Sequence, residues 1–351
     1  MAIKILKVVG IVLGIIVLLF ALLVALLSFT EYKPAERQPA EEIVVAENGK
    51  PANNSLTVYA WNIGYCGLGE ESDFFMDGGE MVDPPSQEIV EKNLAGIKEF
   101  MANNPADAWL LQEVDLNSAR TGHLNEFAEL QNAIGGSGAF AYNYNCIFVP
   151  IPVPPIGKME SGVATVTDML MSDNAERISL PCPFSWPVST ANLKRCLLVT
   201  RVDVEGTDKE LVFINLHLEA YDDGVGKIEQ TKVLMQVLEE EYAKGNYVIA
   251  GGDFNQSFPG ALDYYPIKDT EKWTPGTLEE SILPAGWQFA YDNTVPTSRL
   301  LDFPYCEDCQ LYVIDGFIVS PNVKLNAVKS IDLDFEHSDH NPVRIDVTLL
   351  P

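Results

Sequence analysis

The hydrophobic pattern divides the chain into a long apolar run and a longer region in which strand-like and helix-like periods alternate. Val8 to Phe29 contains no charged residue, and at about 1.5 Å per residue it is long enough to cross a bilayer core of about 30 Å. It predicts one transmembrane helix within residues 1–30. A cleaved signal peptide would have a shorter apolar core and would end in an Ala-x-Ala pattern. This run ends Leu26-Leu27-Ser28-Phe29, which favours an uncleaved anchor. Lys4 and Lys7 precede it, so the N-terminus belongs in the cytoplasm and the rest outside the membrane. Residues 31–55, with Pro34, Pro39, Pro51 and mixed charges, read as a tether.

Residues 56–351 read as one domain. Leu56 to Ile63 alternates as a strand, and Ser86 caps a helix whose apolar face is Val90, Leu94, Ile97 and Met101. Ala108 to Val114 is a buried strand and Leu124 to Ile134 a second helix. Tyr142, Tyr144 and Asn145 form a polar aromatic patch. Strands follow at Gly162 to Thr167, Leu197 to Val204 and Glu210 to Leu218, then a helix over Ile228 to Ala243. Tyr247 to Ala250 is short, β-favouring and unalternating, as expected of a strand buried on both faces. Ser257 to Leu311, rich in Pro, Gly and aromatics, reads as a long substrate-side insertion, and strands at Tyr312 to Val319 and Val343 to Leu349 close the chain. Strand, helix, strand in this succession is an α/β signature.

Charge narrows the function. The chain carries 23 Lys and Arg against 50 Asp and Glu, a net charge of −27. Five cations and five anions balance in residues 1–50, so the whole excess falls on residues 51–351. Proteins that grip nucleic acid usually present a basic face, so small or weakly charged substrates are favoured. Six cysteines on the exported side permit disulfides. Cys306 and Cys309 form one isolated CxxC, with no second such pair and no histidine within ten residues. That favours a local disulfide or a structural pair over a zinc site of four ligands.

The chemistry lies where the apolar strands stop. They end in Asn62, Glu113, His217, Asp253 with Asn255, Asp315, and Asp339 with His340. Singly, each has an ordinary reading as a turn residue or a satisfied core histidine. Together they match the place where α/β architectures put their sites, the carboxyl ends of core strands.

In this order the residues resemble the endonuclease/exonuclease/phosphatase superfamily, which includes DNase I-like nucleases, exonuclease III-like enzymes, neutral sphingomyelinases and inositol polyphosphate 5-phosphatases. The resemblance covers residues 56–350 and rests chiefly on Gly252-Asp253-Phe254-Asn255, Leu111-Gln112-Glu113 and Ser338-Asp339-His340. It implies a four-layer α/β/β/α sandwich and hydrolysis of a phosphoester by water, with Mg²⁺, or Mn²⁺, as cofactor. It further implies that Glu113 is the principal metal ligand, with Asn62 and Asp339 beside it. Asp253 corresponds to the carboxylate that orients or deprotonates water, and Asn255 to a phosphate-holding amide. His217 and His340 would donate to phosphate oxygens, and Asp315 would fix the tautomer of His340. Tyr142 and Arg195 are weaker substrate-binding counterparts. Some members carry an acid two residues after the first-strand Asn, where this chain has Gly64. Dinuclear metallophosphatases are excluded because the chain has neither an Asp-x-His nor an Asn-His pair.

The expectation is a membrane-anchored, extracytoplasmic, metal-dependent phosphoesterase acting on a lipid headgroup or small molecule. An exported Mg²⁺-dependent nuclease and a non-catalytic binding module are the alternatives. No protein partner is implied.

Overall fold

A computed structural model describes residues 2–222 and 224–351; residue 1, at the start of the predicted anchor, lies outside the described residues. Helix α1, Ala2–Thr30, is the apolar run, and it is long and apolar enough to cross a membrane. Two seven-stranded mixed sheets follow. The first runs in the order Arg37–Pro39, Glu176–Ser179, Cys196–Asp203, Glu210–His217, Tyr247–Asp253, Asp315–Val319, Gln288–Ala290. The second runs Val323–Ser330, Val343–Leu349, Ser55–Asn62, Ala108–Asp115, Gly157–Thr167, Ser137–Val149, Glu42–Val44.

Strand alternation explains how the layers stack. In Ser55–Asn62, Val58 and Ala60 point inward with Leu110, against Leu198, Phe213, Ile249 and Phe317 of the other sheet. Tyr59 and Trp61 point outward, where they pack with Trp109 against helices α2, Gln87–Asn103, and α3, Glu126–Ile134. The outer face of the first sheet presents Val199, Val212, Ile214 and Val248 to Leu234, Val237 and Leu238 of α4, Val225–Ala243. Side chains of period two on each strand are therefore buried on both faces, and the result is the α/β/β/α sandwich that the motifs imply.

The helix starts follow the capping rules. Ser86 Oγ accepts the Ile89 N–H at 3.3 Å and Asn125 Oδ1 accepts the Ala128 N–H at 2.8 Å. At the far end of α3, Gly135 adopts φ +71° and closes the helix.

Three regions differ from the sequence reading. The polar aromatic patch at 142–145 lies inside the long strand Ser137–Val149, whose register breaks between Tyr142 and Tyr144. Residues 31–55 are docked: Arg37–Pro39 pairs with Glu176–Ser179, and Glu42–Val44 pairs with Ser137–Val149. These three-residue strands are too short to show a period, and only their partner strands define them. All six cysteines are free thiols; the Cys306 N–H donates to Cys309 Sγ at 3.4 Å, so this CxxC is a hydrogen-bonded turn and not a disulfide.

Helix α4 is held to its sheet by a forked ion pair. Arg201 Nη1 and Nη2 donate to Glu241 Oε2 and Oε1 at 2.7 and 2.8 Å, with both side chains buried. Burial raises the Glu241 carboxyl, but hydrogen bonds from Arg201 and Lys244 and their charges outweigh it and hold the group at about 2. A depressed carboxyl contributes stability above its unfolded value and loses it as pH falls. Glu241→Ala is therefore expected to destabilise the full chain in detergent by about 3 kcal/mol, since it strands a buried guanidinium. In denaturant titrations the difference between parent and variant should hold at neutral pH and shrink between pH 4.5 and about 2.

Candidate active site

The strand registers assemble a polar cluster at one edge of both sheets. In the first sheet Asp253 lies opposite His217 of its parallel neighbour and opposite Asp315 of its antiparallel neighbour, so three functional side chains sit abreast. In the second sheet Asn62 lies opposite Gln112, and Glu113 follows at a register break between Gln112 and Val114. Glu113 has φ +54° and Asn255 φ +50°. Such conformations are costly for residues with side chains and concentrate at functional sites.

The glycines before Asp253 have steric reasons. A Cβ at Gly251 would lie 2.3 Å from the Phe317 ring, and one at Gly252 would lie 2.0 Å from the Leu216 carbonyl oxygen. Gly64 adopts φ +51°, and a Cβ there would lie 2.8 Å from Asp339 Oδ1. A side chain at residue 64 would be strained at this φ and would crowd Asp339.

Asp253 Oδ2 is the point of convergence. It accepts from Asn62 Nδ2 at 3.1 Å and lies 3.4 Å from His217 Nε2 and 3.8 Å from His340 Nε2. Its other oxygen accepts the Asn255 N–H at 2.8 Å. Asn62 Nδ2 also donates to Glu113 Oε1 at 3.0 Å, while Asn62 Oδ1 accepts the Gly64 N–H at 3.1 Å. Ligating a cation through Oδ1 would require the Asn62 amide to turn over. His340 Nδ1 meets Asp315 Oδ2 at 2.8 Å, and Ser338 Oγ accepts the His340 N–H at 3.1 Å. Asn255 Nδ2 donates to the Leu218 carbonyl at 2.9 Å.

Burial sets the charge states. It pushes Asp253 up to about 7, with Asp315 adding to the rise and His340 and two hydrogen bonds opposing it. Asp339 is pushed to about 7 by burial, with Glu113 and Asp77 adding and His340 opposing. The histidines separate. His217 is held well below its usual range by burial, Arg195 and His340. Burial would also lower His340, but Asp315 and Asp339 raise it well above that range. At neutral pH His217 is thus a neutral imidazole and His340 an imidazolium.

The donor set fits a hard divalent cation. Glu113 and Asp339 are carboxylates on the same cleft wall, and such oxygens suit Mg²⁺ or Mn²⁺. Asp253, Asp315 and His340 also have ligand atoms within 4.8 Å of one another. There, however, His340 Nδ1 and Asp315 Oδ2 are already joined to each other at 2.8 Å.

Of the weaker sequence candidates, Arg195 reaches the cleft and Tyr142 does not. Arg195 is buried, with Nε 3.3 Å from Glu219 Oε2 and Nη1 donating to the His217 carbonyl at 3.2 Å, so it braces His217 from behind. The Tyr142 ring packs against Phe140 and Tyr32 instead, and its neighbour Asn143, exposed to the cleft by the strand's register break, takes its place. Two lining features escaped the sequence reading. Arg120 is bonded to Asp115 at 2.8 Å and lies 3.3 Å above the Tyr65 ring, and the Tyr221 hydroxyl donates to Asp77 at 2.7 Å. Both come from loops with no motif. The cleft has a volume of about 650 Å³, and Phe20, Leu23, Val24 and Leu27 of α1 form part of its wall.

Comparisons with known proteins bear on the family and the fold. A sequence model of the Endonuclease/Exonuclease/phosphatase family matches residues 60–340. No curated protein matches the chain. Among solved structures, an endonuclease/exonuclease/phosphatase from Beutenbergia cavernae DSM 12333 superposes with a TM-score of 0.58 at 17% identity, covering 85% of this chain and 72% of that one. One from Bacteroides vulgatus gives 0.54 at 16% identity, covering 84% and 99%. Truncated Caenorhabditis elegans TDP2 gives 0.51 at 17%, covering 84% and 98%.

The His340–Asp315 pair generates a pH prediction. Asp315→Asn removes the charge that raises His340, so the imidazolium should deprotonate at lower pH. In pH–rate profiles of phosphodiester hydrolysis, the alkaline limb of kcat is expected to move to lower pH in Asp315→Asn. An unmoved limb would mean that His340 does not act as a cation.

Proposed function

This chain belongs to the endonuclease/exonuclease/phosphatase family, whose members are generally hydrolases of phosphoester bonds, and on that premise we propose that it is an exported, membrane-anchored, metal-dependent phosphoesterase. The observation that carries the reading is the convergence of Asn62, His217 and His340 on one oxygen of Asp253 beside the Glu113 carboxylate. A binding module has no need to bury three such groups around a carboxyl whose value lies near neutrality.

Glu113 and Asp339 would hold Mg²⁺ or Mn²⁺, which would supply positive charge to the phosphate oxygens. The protein's own groups do the rest. Asp253 Oδ2 takes the proton of the attacking water, a task suited to a carboxyl whose value lies at about 7. His340 donates from Nε2 to a phosphate oxygen while Asp315 holds Nδ1, and it stabilises the charge that grows in the transition state. His217 donates beside it as a neutral ring. Asn255 keeps one amide hydrogen on the Leu218 carbonyl and has the other for the phosphate. Lys4 and Lys7, in the first turns of α1 and ahead of its uncharged run, support an N-terminus in the cytoplasm and a catalytic domain outside. The net charge of −27 and the apolar wall of the cleft favour a lipid headgroup or small phosphoester over nucleic acid.

Asp253→Asn and His340→Ala are each expected to lower kcat for bis(p-nitrophenyl) phosphate with Mg²⁺ by about a thousandfold or more, with unchanged thermal unfolding. Removing divalent ions with EDTA should abolish turnover, and Mg²⁺ or Mn²⁺ should restore it. His123→Ala is the control: His123 is exposed and its ring bonds to Asn117 at 2.8 Å away from the cleft lining, so its variant should keep parental activity. Parental turnover in Asp253→Asn would refute the assignment, and Mg²⁺-dependent cleavage of oligonucleotides that falls steeply with salt would favour a nuclease.

A further inference from the structure

The α1 side chains in the cleft wall change what an anchor means here. Phe20, Leu23, Val24 and Leu27 are spaced by three, one and three, so they form one stripe of the helix, and that stripe lines the same cleft as Glu113, Asp253 and His340. Leu27 is buried with Cys146, Val149 and Met159, and Leu23 packs on this cluster. Ser28 accepts a hydrogen bond from Trp186 Nε1 at 3.0 Å.

The helix is not on a leash. Directly after it, Glu31 pairs with Lys194 at 3.1 Å and the Tyr32 ring meets Tyr142 edge-on. The chain then adds Arg37–Pro39 to one sheet and Glu42–Val44 to the other. The direction in which α1 leaves the domain is therefore fixed relative to the cleft.

Around that point of departure the domain exposes large apolar side chains. Ile151 is 72% exposed, Val153 92%, Trp186 65% and Val188 56%. Ile151 and Val188 line the cleft together with α1. An exposed apolar rim of this kind is unfavourable in water and marks an interaction surface. Its position beside a bilayer-spanning helix identifies the surface, and Trp at such a place suits the headgroup level. The cleft thus has hydrocarbon-compatible walls at its membrane end and a phosphoester site at its polar end.

We propose that α1 is a wall of the substrate cleft, and that the molecule admitted is a phospholipid of the bilayer holding that helix, entering sideways over the 151–153 and 186–188 rim. This rests on the phosphoesterase reading and names its substrate class. The acyl chains stay against Phe20, Leu23 and Val24 while the phosphate reaches Asp253 and His340. Water forms the new O–P bond and gives its proton to Asp253. One ester P–O bond breaks, the departing oxygen takes a proton from solvent water and leaves as the alcohol, and Asp253 returns its proton to solvent.

The test uses the full chain in proteoliposomes of phosphatidylethanolamine, phosphatidylglycerol and sphingomyelin, with bis(p-nitrophenyl) phosphate as a soluble comparison. The double variant Val153→Glu, Trp186→Glu changes exposed rim side chains that do not line the cleft. It is expected to lose tenfold or more of lipid turnover while hydrolysing the soluble diester as the parent does. Brominated acyl chains should quench tryptophan fluorescence in the parent, and this quenching should be much reduced in Trp186→Phe. Hydrolysis of the soluble diester without turnover of any of the three lipids would overturn this inference and leave the phosphoesterase reading intact. Equal lipid turnover in parent and double variant, or quenching unaffected by Trp186→Phe, would also overturn it. A parent that hydrolyses neither substrate would fail the phosphoesterase reading first.

Discussion

The structure depends on one electrostatic problem: several carboxylates are buried at the edge where two sheets meet, and few fixed cations face them. Asp253, Asp315 and Asp339 are all nearly inaccessible, and Glu113 opens on the same cleft. Arg195 and Arg120 are near but committed, to Glu219 and Asp115. His340 answers the cluster by carrying a proton between Asp315 and Asp253, and Arg299, bonded to the Gly69 and Ser72 carbonyls, acts on Asp339 through its charge. A buried anion without a partner costs several kcal/mol, so this edge is stable when carboxyls hold protons or when a cation arrives. That unbalanced negative charge is the property a metal-dependent hydrolase needs.

The rest of the fold can be read as what makes such an edge affordable. Strands buried on both faces, from Val58 to Phe317, give a rigid double sheet. The Arg201–Glu241 fork fixes α4 behind it. Gly251 and Gly252 let Tyr247–Asp253 approach its neighbours closely enough to bring Asp253 level with His217 and Asp315. The positive φ values of Glu113 and Asn255 are local strain carried by that surrounding rigidity.

Much of the site was legible because a polar residue stopping an apolar run is a strong signal. Asn62, Glu113, His217, Asp253, Asn255, Asp315, Asp339 and His340 all lie at the cleft or in its hydrogen-bonded network. Tyr142 was misplaced because a break in strand register turns Asn143, and not Tyr142, toward the cleft. Arg120 and Tyr221 act from loops whose conformation is set by tertiary contacts. The docking of residues 31–55 was hidden because three-residue edge strands carry no periodicity of their own. The largest omission was α1. Its sequence states only that it is apolar, and no pattern within it tells that Leu23 and Leu27 face the site.

On the proposed function two neighbouring sets of side chains divide the work: Glu113 and Asp339 would hold the metal, and Asp253, Asp315 and His340 would handle protons. Mn²⁺ binding followed by electron paramagnetic resonance on the full chain in detergent tests that division most directly. The free-ion signal should be suppressed by the parent and by Asp315→Asn, and should persist with Glu113→Gln. Persistence with Asp315→Asn and suppression with Glu113→Gln would place the cation in the histidine cluster and contradict the account.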